Sequence, residues 1–106
     1  MQSHANILII SADPALRAQV TAALQAVGLQ TNEAANTELG LALYTQNDTD
    51  AVILDSGFPG GLDIFSACAA IRALPGAENV PILVIIETED IGLIGRSYEV
   101  GATDFM

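Results

Sequence analysis

The chain of 106 residues is long enough for one domain with one hydrophobic core. Hydrophobic residues make up 51% of it and charged residues 15%, which favours a compact fold over disorder. Its net charge of −10, with three arginines and no lysine, predicts that this domain does not bind DNA or RNA directly. No apolar run reaches the roughly 18 residues of a membrane span. A single Cys68 cannot form an internal disulfide, so we expect a cytoplasmic protein without a membrane segment.

Short apolar runs alternate with helical patterns along the chain. The first run, residues 5–10, is typical of a buried strand. Asp13 and Pro14 then supply an N-cap and a proline for the first turn of a helix, and the helical pattern ends at Gly28. Residues 29–34 predict a weaker strand whose polar side chains indicate the edge of a sheet.

The same alternation continues to the last residue. The remaining predicted elements are a helix capped by Asn36 or Thr37, a strand over residues 52–54, a helix with an apolar stripe from Ile64 through Cys68 to Leu74, a strand over 81–86, a helix over about 90–100 and a strand beginning at 103–106. Strict alternation predicts a parallel α/β sheet with helices on both faces. One face of the last strands has no closing helix, so we expect residues 1–106 to be one domain from a longer chain. The uncovered apolar face makes a homodimer an alternative to a monomer.

Asp55 is the most informative residue in the chain. It follows the buried β-branched run of residues 52–54, at the carboxyl end of a predicted parallel strand. Ligands bind at that end of the strands in open α/β sheets. A carboxylate there can hold a metal ion, accept a phosphoryl group or cap the loop that follows. The residues alone leave these three roles open.

Taken in order, these motifs resemble the receiver domain of bacterial two-component response regulators. The resemblance covers residues 7–106. It rests on the Asp13-Pro14 helix start with Arg17, the strand-end Asp55, the Phe58-Pro59-Gly60 loop, the Pro81 strand and the Gly-Ala-Thr-Asp-Phe run at 101–105. It implies a flavodoxin-like, doubly wound parallel sheet of five strands in the order 2-1-3-4-5, with the last helix absent from this chain. It also implies a signalling module rather than an enzyme. In such a module a sensor histidine kinase or phosphotransfer protein phosphorylates Asp55, and an output domain in the parent chain responds.

The resemblance further implies a Mg²⁺ site beside the acceptor, with Asp55 and Gly57 among its contacts. Mg²⁺ prefers oxygen ligands and offsets the charge that develops during phosphoryl transfer. The acidic pair that completes this site in the family falls on Ser11 and Ala12, and neither is a carboxylate. Asp13 has two interpretations: a helix N-cap, which the proline after it favours, and a metal contact through water. We therefore expect Mg²⁺ to bind weakly or not at all.

The switch of the family joins a hydroxyl at the end of the fourth strand to an aromatic residue on the fifth. Here the hydroxyl position falls on Ile86, followed by Glu87, and the aromatic residue is Phe105, so we expect weak coupling. Two functions remain: a phosphoacceptor in a phosphorelay, and a pseudo-receiver that binds partner proteins without phosphorylation. A flavin-binding domain of the same topology is disfavoured, because aromatic residues are only 5% of the chain and no hydroxyl-rich loop follows the first strand.

Overall fold

Five parallel strands form a single sheet in the order β2-β1-β3-β4-β5. The computed structural model describes residues 5–55, 64–85 and 104–105. The elements in chain order are β1 (Asn6–Ile10), α1 (Pro14–Ala26), β2 (Gln30–Ala34), α2 (Thr37–Gln46), β3 (Ala51–Asp55), α3 (Ile64–Arg72), β4 (Ile82–Ile85) and β5 (Asp104–Phe105). The predicted parallel α/β sheet with strand order 2-1-3-4-5 is confirmed, and β2 is the edge strand that its polar residues indicated.

Some sequence predictions concern residues outside the described part of the chain. They are the loop of Gly57 to Gly60, the helix expected over about residues 90–100, and positions Ile86 and Glu87. The backbone of Phe105 is described, and it lies in β5 in register with Val84. Within the described ranges, no helix combines the length and the apolar character that a membrane crossing requires.

Several strand boundaries differ by one residue from the sequence prediction, and two differences bear on the site and the core. Asp55 is the last residue of β3 itself, in register with Ile85 of β4, because the parallel ladder continues one residue beyond the apolar run. The third helix ends at Arg72, two residues before Leu74. The Arg72 guanidinium turns back to the chain that follows and donates to the carbonyl oxygens of Ala77 and Val80, at 2.9 and 2.5 Å.

The core lies on both faces of the sheet, since alternate side chains of each strand point to opposite faces. The larger cluster joins β1, β3 and β4 to α3 through side chains that include Leu8, Leu54, Val84, Cys68 and Ile71. The smaller cluster, on the face that α1 covers, consists of Ile7, Ile9 and Ile53 with partly buried neighbours. Cys68 is fully buried, which confirms its predicted place in the core.

The close approach of α2 to β1 depends on Gly40. A Cβ atom at this position would collide with Cδ1 of Ile10 and lie 2.9 Å from its Cγ1. Ile10 is itself fully buried, so its side chain has little room to move away. Glycine at position 40 therefore allows α2 to pack directly against Ile10, the last residue of β1 and the neighbour of Ser11.

Helix α1 begins and ends where the sequence predicts. The Asp13 side chain accepts a hydrogen bond from the Ala15 N–H at 3.0 Å, which is N-cap geometry. At the other end, Gly28 has a φ of 88° and the Leu29 N–H donates to the Leu24 carbonyl at 3.1 Å, as in a Schellman motif. Both ends of α1 are thus fixed, and its first turn is held over the carboxyl end of β1.

Candidate functional site at the carboxyl ends of β1 and β3

Ser11 and Asp55 are the buried polar side chains of the described core, at 0% and 3% exposure. Each stands at the carboxyl end of a central strand, and the register of Ile10 with Leu54 brings the two ends side by side. The Ser11 hydroxyl donates to Oδ2 of Asp55 at 2.8 Å. A buried carboxylate oxygen therefore has a hydroxyl donor from the neighbouring strand, as a buried charge requires.

Ser11 is held on every side by hydrogen bonds. Its N–H donates to the carbonyl of Ala34 at 3.0 Å, and its own carbonyl accepts from Nη1 of Arg17 at 2.6 Å. The backbone N–H of Asp13 donates to the Ser11 hydroxyl oxygen at 3.0 Å. A serine hydroxyl has one proton to give. With its oxygen accepting from Asp13, that proton is directed to Asp55.

Arg17 joins three elements around this point. Its Nη1 reaches the Ser11 carbonyl after β1, while its Nε lies 3.5 Å from Oε1 of Glu33 on β2. The Arg17 side chain is 19% exposed and that of Glu33 is 39% exposed. The planar guanidinium can use two of its edges at once, which suits a residue that spans two strands.

The structure brings together only some of the predicted site residues. Asp55 stands beside Ser11, and Asp13 approaches through its backbone N–H, whereas its carboxylate caps α1. This is the N-cap interpretation of Asp13. Phe105 lies on β5, separated from Asp55 by β4. Gly57 and Ile86 lie outside the described residues.

Sequence reasoning missed two groups at this site. It treated Ser11 as a lost carboxylate and not as a hydrogen-bond donor to Asp55. It used Arg17 only as part of a helix motif, although the guanidinium binds the Ser11 carbonyl. The available signal was position, because a long cationic side chain on the first turn of α1 can reach back to the end of β1.

The described residues do not fit a divalent-cation site that the protein builds by itself. Oδ2 of Asp55 and Oδ1 of Asp13 each accept a hydrogen bond from the protein. No group of three or more His, Cys, Asp or Glu side chains that could hold a metal ion occurs among the described residues. Mg²⁺ requires near-octahedral oxygen ligands and gives up its water reluctantly. One carboxylate beside a hydroxyl is a poor set of protein ligands for that ion.

Away from this site, burial raises the pKa of two side chains, Cys68 and Tyr44. Burial raises the pKa of the Cys68 thiol from 9.0 to about 11, and the nearby positive charge of Arg72 opposes this only in part. Burial also raises the pKa of Tyr44, again against the charge of Arg72. A thiol is nucleophilic as its thiolate, so the raised pKa leaves Cys68 an unreactive core residue.

A separate open cavity of about 380 Å³ lies at the start of β3, whereas Asp55 lies at its end. It is lined by Tyr44, Thr45, Asn47, Asp48, Thr49, Asp50 and Pro75. Neither Ser11 nor Asp55 contributes to its wall. Because of this separation, the cavity does not form part of the site at the strand ends.

Comparison with known proteins points to one family. The model of the response regulator receiver domain matches residues 7–106. The DNA-binding dual master transcriptional regulator RpaA of Synechocystis is 29% identical over 100 residues, which are 94% of this chain and 41% of RpaA. The transcriptional regulatory protein AfsQ1 of Streptomyces coelicolor is 30% identical over 95% of this chain and 43% of its own. The chain thus spans less than half the length of these curated relatives.

A solved structure shares the fold along nearly the whole chain. The chemotaxis protein CheY4 of Vibrio cholerae superposes with a TM-score of 0.89 at 24% identity. The match covers 98% of this chain and 86% of CheY4. The arrangement of strands and helices around Asp55 is therefore one that other proteins also adopt.

Proposed function

The chain belongs to the receiver-domain family of response regulators, and from this premise we propose that it receives a signal in a two-component phosphorelay, with Asp55 as its phosphoacceptor. The observation that carries the proposal is the position of Asp55. Asp55 is 3% exposed and ends the central strand β3, at the edge where open α/β sheets bind their ligands. Such a module is a cytoplasmic signalling domain rather than an enzyme.

The proposed step is transfer of a phosphoryl group from a phosphohistidine of a sensor kinase or phosphotransfer protein. A carboxylate oxygen of Asp55 attacks phosphorus and forms the new O–P bond of an aspartyl phosphate. The P–N bond breaks and its electron pair stays on the imidazole nitrogen. The imidazole that leaves then takes up a proton from solvent. Ser11 holds the carboxylate in place through its hydroxyl while the transfer occurs.

We propose that Mg²⁺ contributes little to this step. An acidic side chain at position 11 would repel Asp55, and such pairs of carboxylates are stabilised by a cation. The Ser11 hydroxyl makes an attractive contact instead, a hydrogen bond to the carboxylate. The resting site therefore does not depend on a metal to offset repulsion between positions 11 and 55.

A second candidate function is a pseudo-receiver, a module that binds protein partners without phosphorylation. The same hydrogen bond favours it, because a carboxylate stabilised by Ser11 is a weaker nucleophile. The sequence adds that Ile86 offers no hydroxyl at the position of the family switch. The two candidates share the fold and differ only in whether Asp55 accepts a phosphoryl group.

The partners are also part of the proposal. RpaA and AfsQ1 are transcriptional regulators more than twice as long as their match to this chain, which supports an output domain in a longer parent protein. The net charge of −10 disfavours direct contact of this domain with DNA, so we propose that any such contact is made by the output domain. A homodimer of the receiver is the alternative to a monomer, and measurement of the oligomeric state of the parent protein distinguishes the two.

Intact-protein mass spectrometry of the full-length protein with a small acyl-phosphate donor separates these alternatives. We expect the mass of one added phosphoryl group in the native protein and none in an Asp55→Asn control, with little dependence on millimolar Mg²⁺. No gain at any Mg²⁺ concentration would contradict the phosphoacceptor and leave the pseudo-receiver. A gain that strictly requires Mg²⁺ would contradict the proposed loss of metal chemistry.

A further inference from the structure

We propose that Arg17 is a positioning residue for Asp55. Arg17 holds Ser11 in the orientation from which its hydroxyl reaches Oδ2 of Asp55, and Glu33 in turn holds Arg17. The significance of this arrangement for signalling rests on the proposed role of Asp55. The arrangement itself is a property of the resting protein, and it can be tested without phosphorylation.

The first step in this chain of contacts is the backbone of Ser11. Its N–H is bound to the Ala34 carbonyl and its C=O to the Arg17 guanidinium, so both peptide groups that flank its Cα are held. With both peptide planes fixed, the direction of the Cα–Cβ bond is fixed as well. Ser11 is 0% exposed, so bulk water cannot replace the guanidinium at this carbonyl without opening the site.

The second step is the orientation of the hydroxyl. The Asp13 N–H occupies one acceptor position of the Ser11 oxygen at 3.0 Å, and Asp55 receives the proton at 2.8 Å. Asp13 keeps this position because its own side chain caps α1, the helix that carries Arg17. Movement of Arg17 should therefore weaken both hydrogen bonds of the Ser11 hydroxyl, the one from Asp13 and the one to Asp55.

The third step is the pair of contacts that the Arg17 guanidinium makes through two different nitrogen atoms. Nη1 serves Ser11 while Nε faces Glu33, so each contact restrains the other. A lysine at position 17 would supply one compact charge and could satisfy only one of these partners well. Glu33 is the more exposed partner, so its influence should be smaller than that of Arg17.

Arg72 provides a matched control within the same chain. It too donates from Nη1 to backbone carbonyls, those of Ala77 and Val80, but at the turn between α3 and β4. A change there removes the same kind of contact without touching Ser11. Effects that are common to both arginines report on stability, and effects confined to Arg17 report on positioning.

The test measures two NMR signals in the full-length protein: the Asp55 ¹³Cγ resonance and the hydrogen exchange of the Asp13 amide. We expect Arg17→Ala to move the Asp55 resonance toward its position in Ser11→Ala, and to speed Asp13 exchange by about tenfold or more. Arg17→Lys should restore part of both effects, and Glu33→Gln should give a smaller shift in the same direction. Arg72→Lys should leave both signals unchanged.

A double variant tests whether Arg17 acts through Ser11. In a Ser11→Ala background, Arg17→Ala should add no further shift at Asp55, because the connecting hydroxyl is already gone. An undiminished shift in that background would overturn the inference, as would unchanged signals in Arg17→Ala. If Arg17→Ala fails to fold, Arg17→Lys and Glu33→Gln decide the same question. Absence of phosphoryl transfer would refute the proposed function and leave these outcomes as they are.

Discussion

Two corners of the molecule contain the same kind of contact, an arginine that donates to backbone carbonyls, and the contact has a different consequence in each. At the corner between β1 and α1, Arg17 donates to the carbonyl of Ser11, and at the corner between α3 and β4, Arg72 donates to those of Ala77 and Val80. Beyond Arg72 lies an apolar core, whereas beyond Arg17 lies a buried carboxylate. The same arginine–carbonyl contact can therefore have different roles, depending on what the contacted residue itself binds: Ser11 binds the Asp55 carboxylate.

The largest expected difference between the two corners is in stability. Arg72→Ala removes the charged donor from two carbonyls, so we expect a loss of about 2–4 kcal/mol in the free energy of unfolding. Arg17→Ala removes one such bond and the partly exposed ion pair with Glu33, and it should cost about 1–2 kcal/mol. Urea unfolding of both variants measures this difference. A larger loss at Arg17 would mean that its corner, too, chiefly supports the fold.

A change at Gly40 tests whether packing beneath the site also governs Asp55. In Gly40→Ala the new methyl group must displace the buried Ile10, which should cost about 1–3 kcal/mol despite the better helix propensity of alanine. Because Ile10 precedes Ser11, we expect the Asp55 ¹³Cγ resonance to shift as well.

Gly28→Ala serves as the control for this substitution. It places a side chain at a φ of 88° but meets no atom within 4 Å, so it should cost about 1 kcal/mol through backbone strain alone. The Asp55 resonance should stay in place in this variant. Equal shifts in the two glycine variants would show that the resonance follows general destabilisation and not the packing at Ile10.

Removal of the hydroxyl at position 11 should have a smaller effect on stability. Ser11→Ala deprives a buried carboxylate of one donor, for which we expect a loss of about 1–2 kcal/mol by urea unfolding at neutral pH. Thr45→Ala, which deletes an exposed hydroxyl that bonds only to its own helix, should change stability far less. A gain in stability in Ser11→Ala would mean that the Ser11 hydroxyl does not stabilise the buried carboxylate.

The smallest expected effect is a loss of stability at alkaline pH in the Arg72 corner. Burial raises the pKa of Cys68 from 9.0 to about 11, so the folded state holds this proton more tightly than the unfolded state. The resulting stability is complete below pH 9 and is lost as the pH rises to about 11. We expect the loss to reach about 1 kcal/mol by pH 10. Cys68→Ala should flatten the unfolding free energy over this range, and an unchanged slope would contradict the assignment.

Much of the fold could be predicted from the sequence because its signals are local. The cap at Asp13, the turn at Gly28 and the polar edge strand each depend on a few neighbouring residues. The pairing of Ser11 with Asp55 joins residues 44 apart, and it depends on strand register and on one side-chain torsion. The family motif has a carboxylate at position 11, so the sequence alone indicates only that this carboxylate is missing. Only the three-dimensional arrangement shows it as a donor.

The central proposal is that the Ser11 hydroxyl, and not a metal ion, stabilises the Asp55 carboxylate. The most direct test is a Mg²⁺ titration of the full-length protein, followed through the Asp55 ¹³Cγ resonance and repeated on Ser11→Asp. We predict no saturable shift in the native protein at millimolar Mg²⁺ and a saturable shift in the variant. A saturable shift of the native protein in that range would contradict the account.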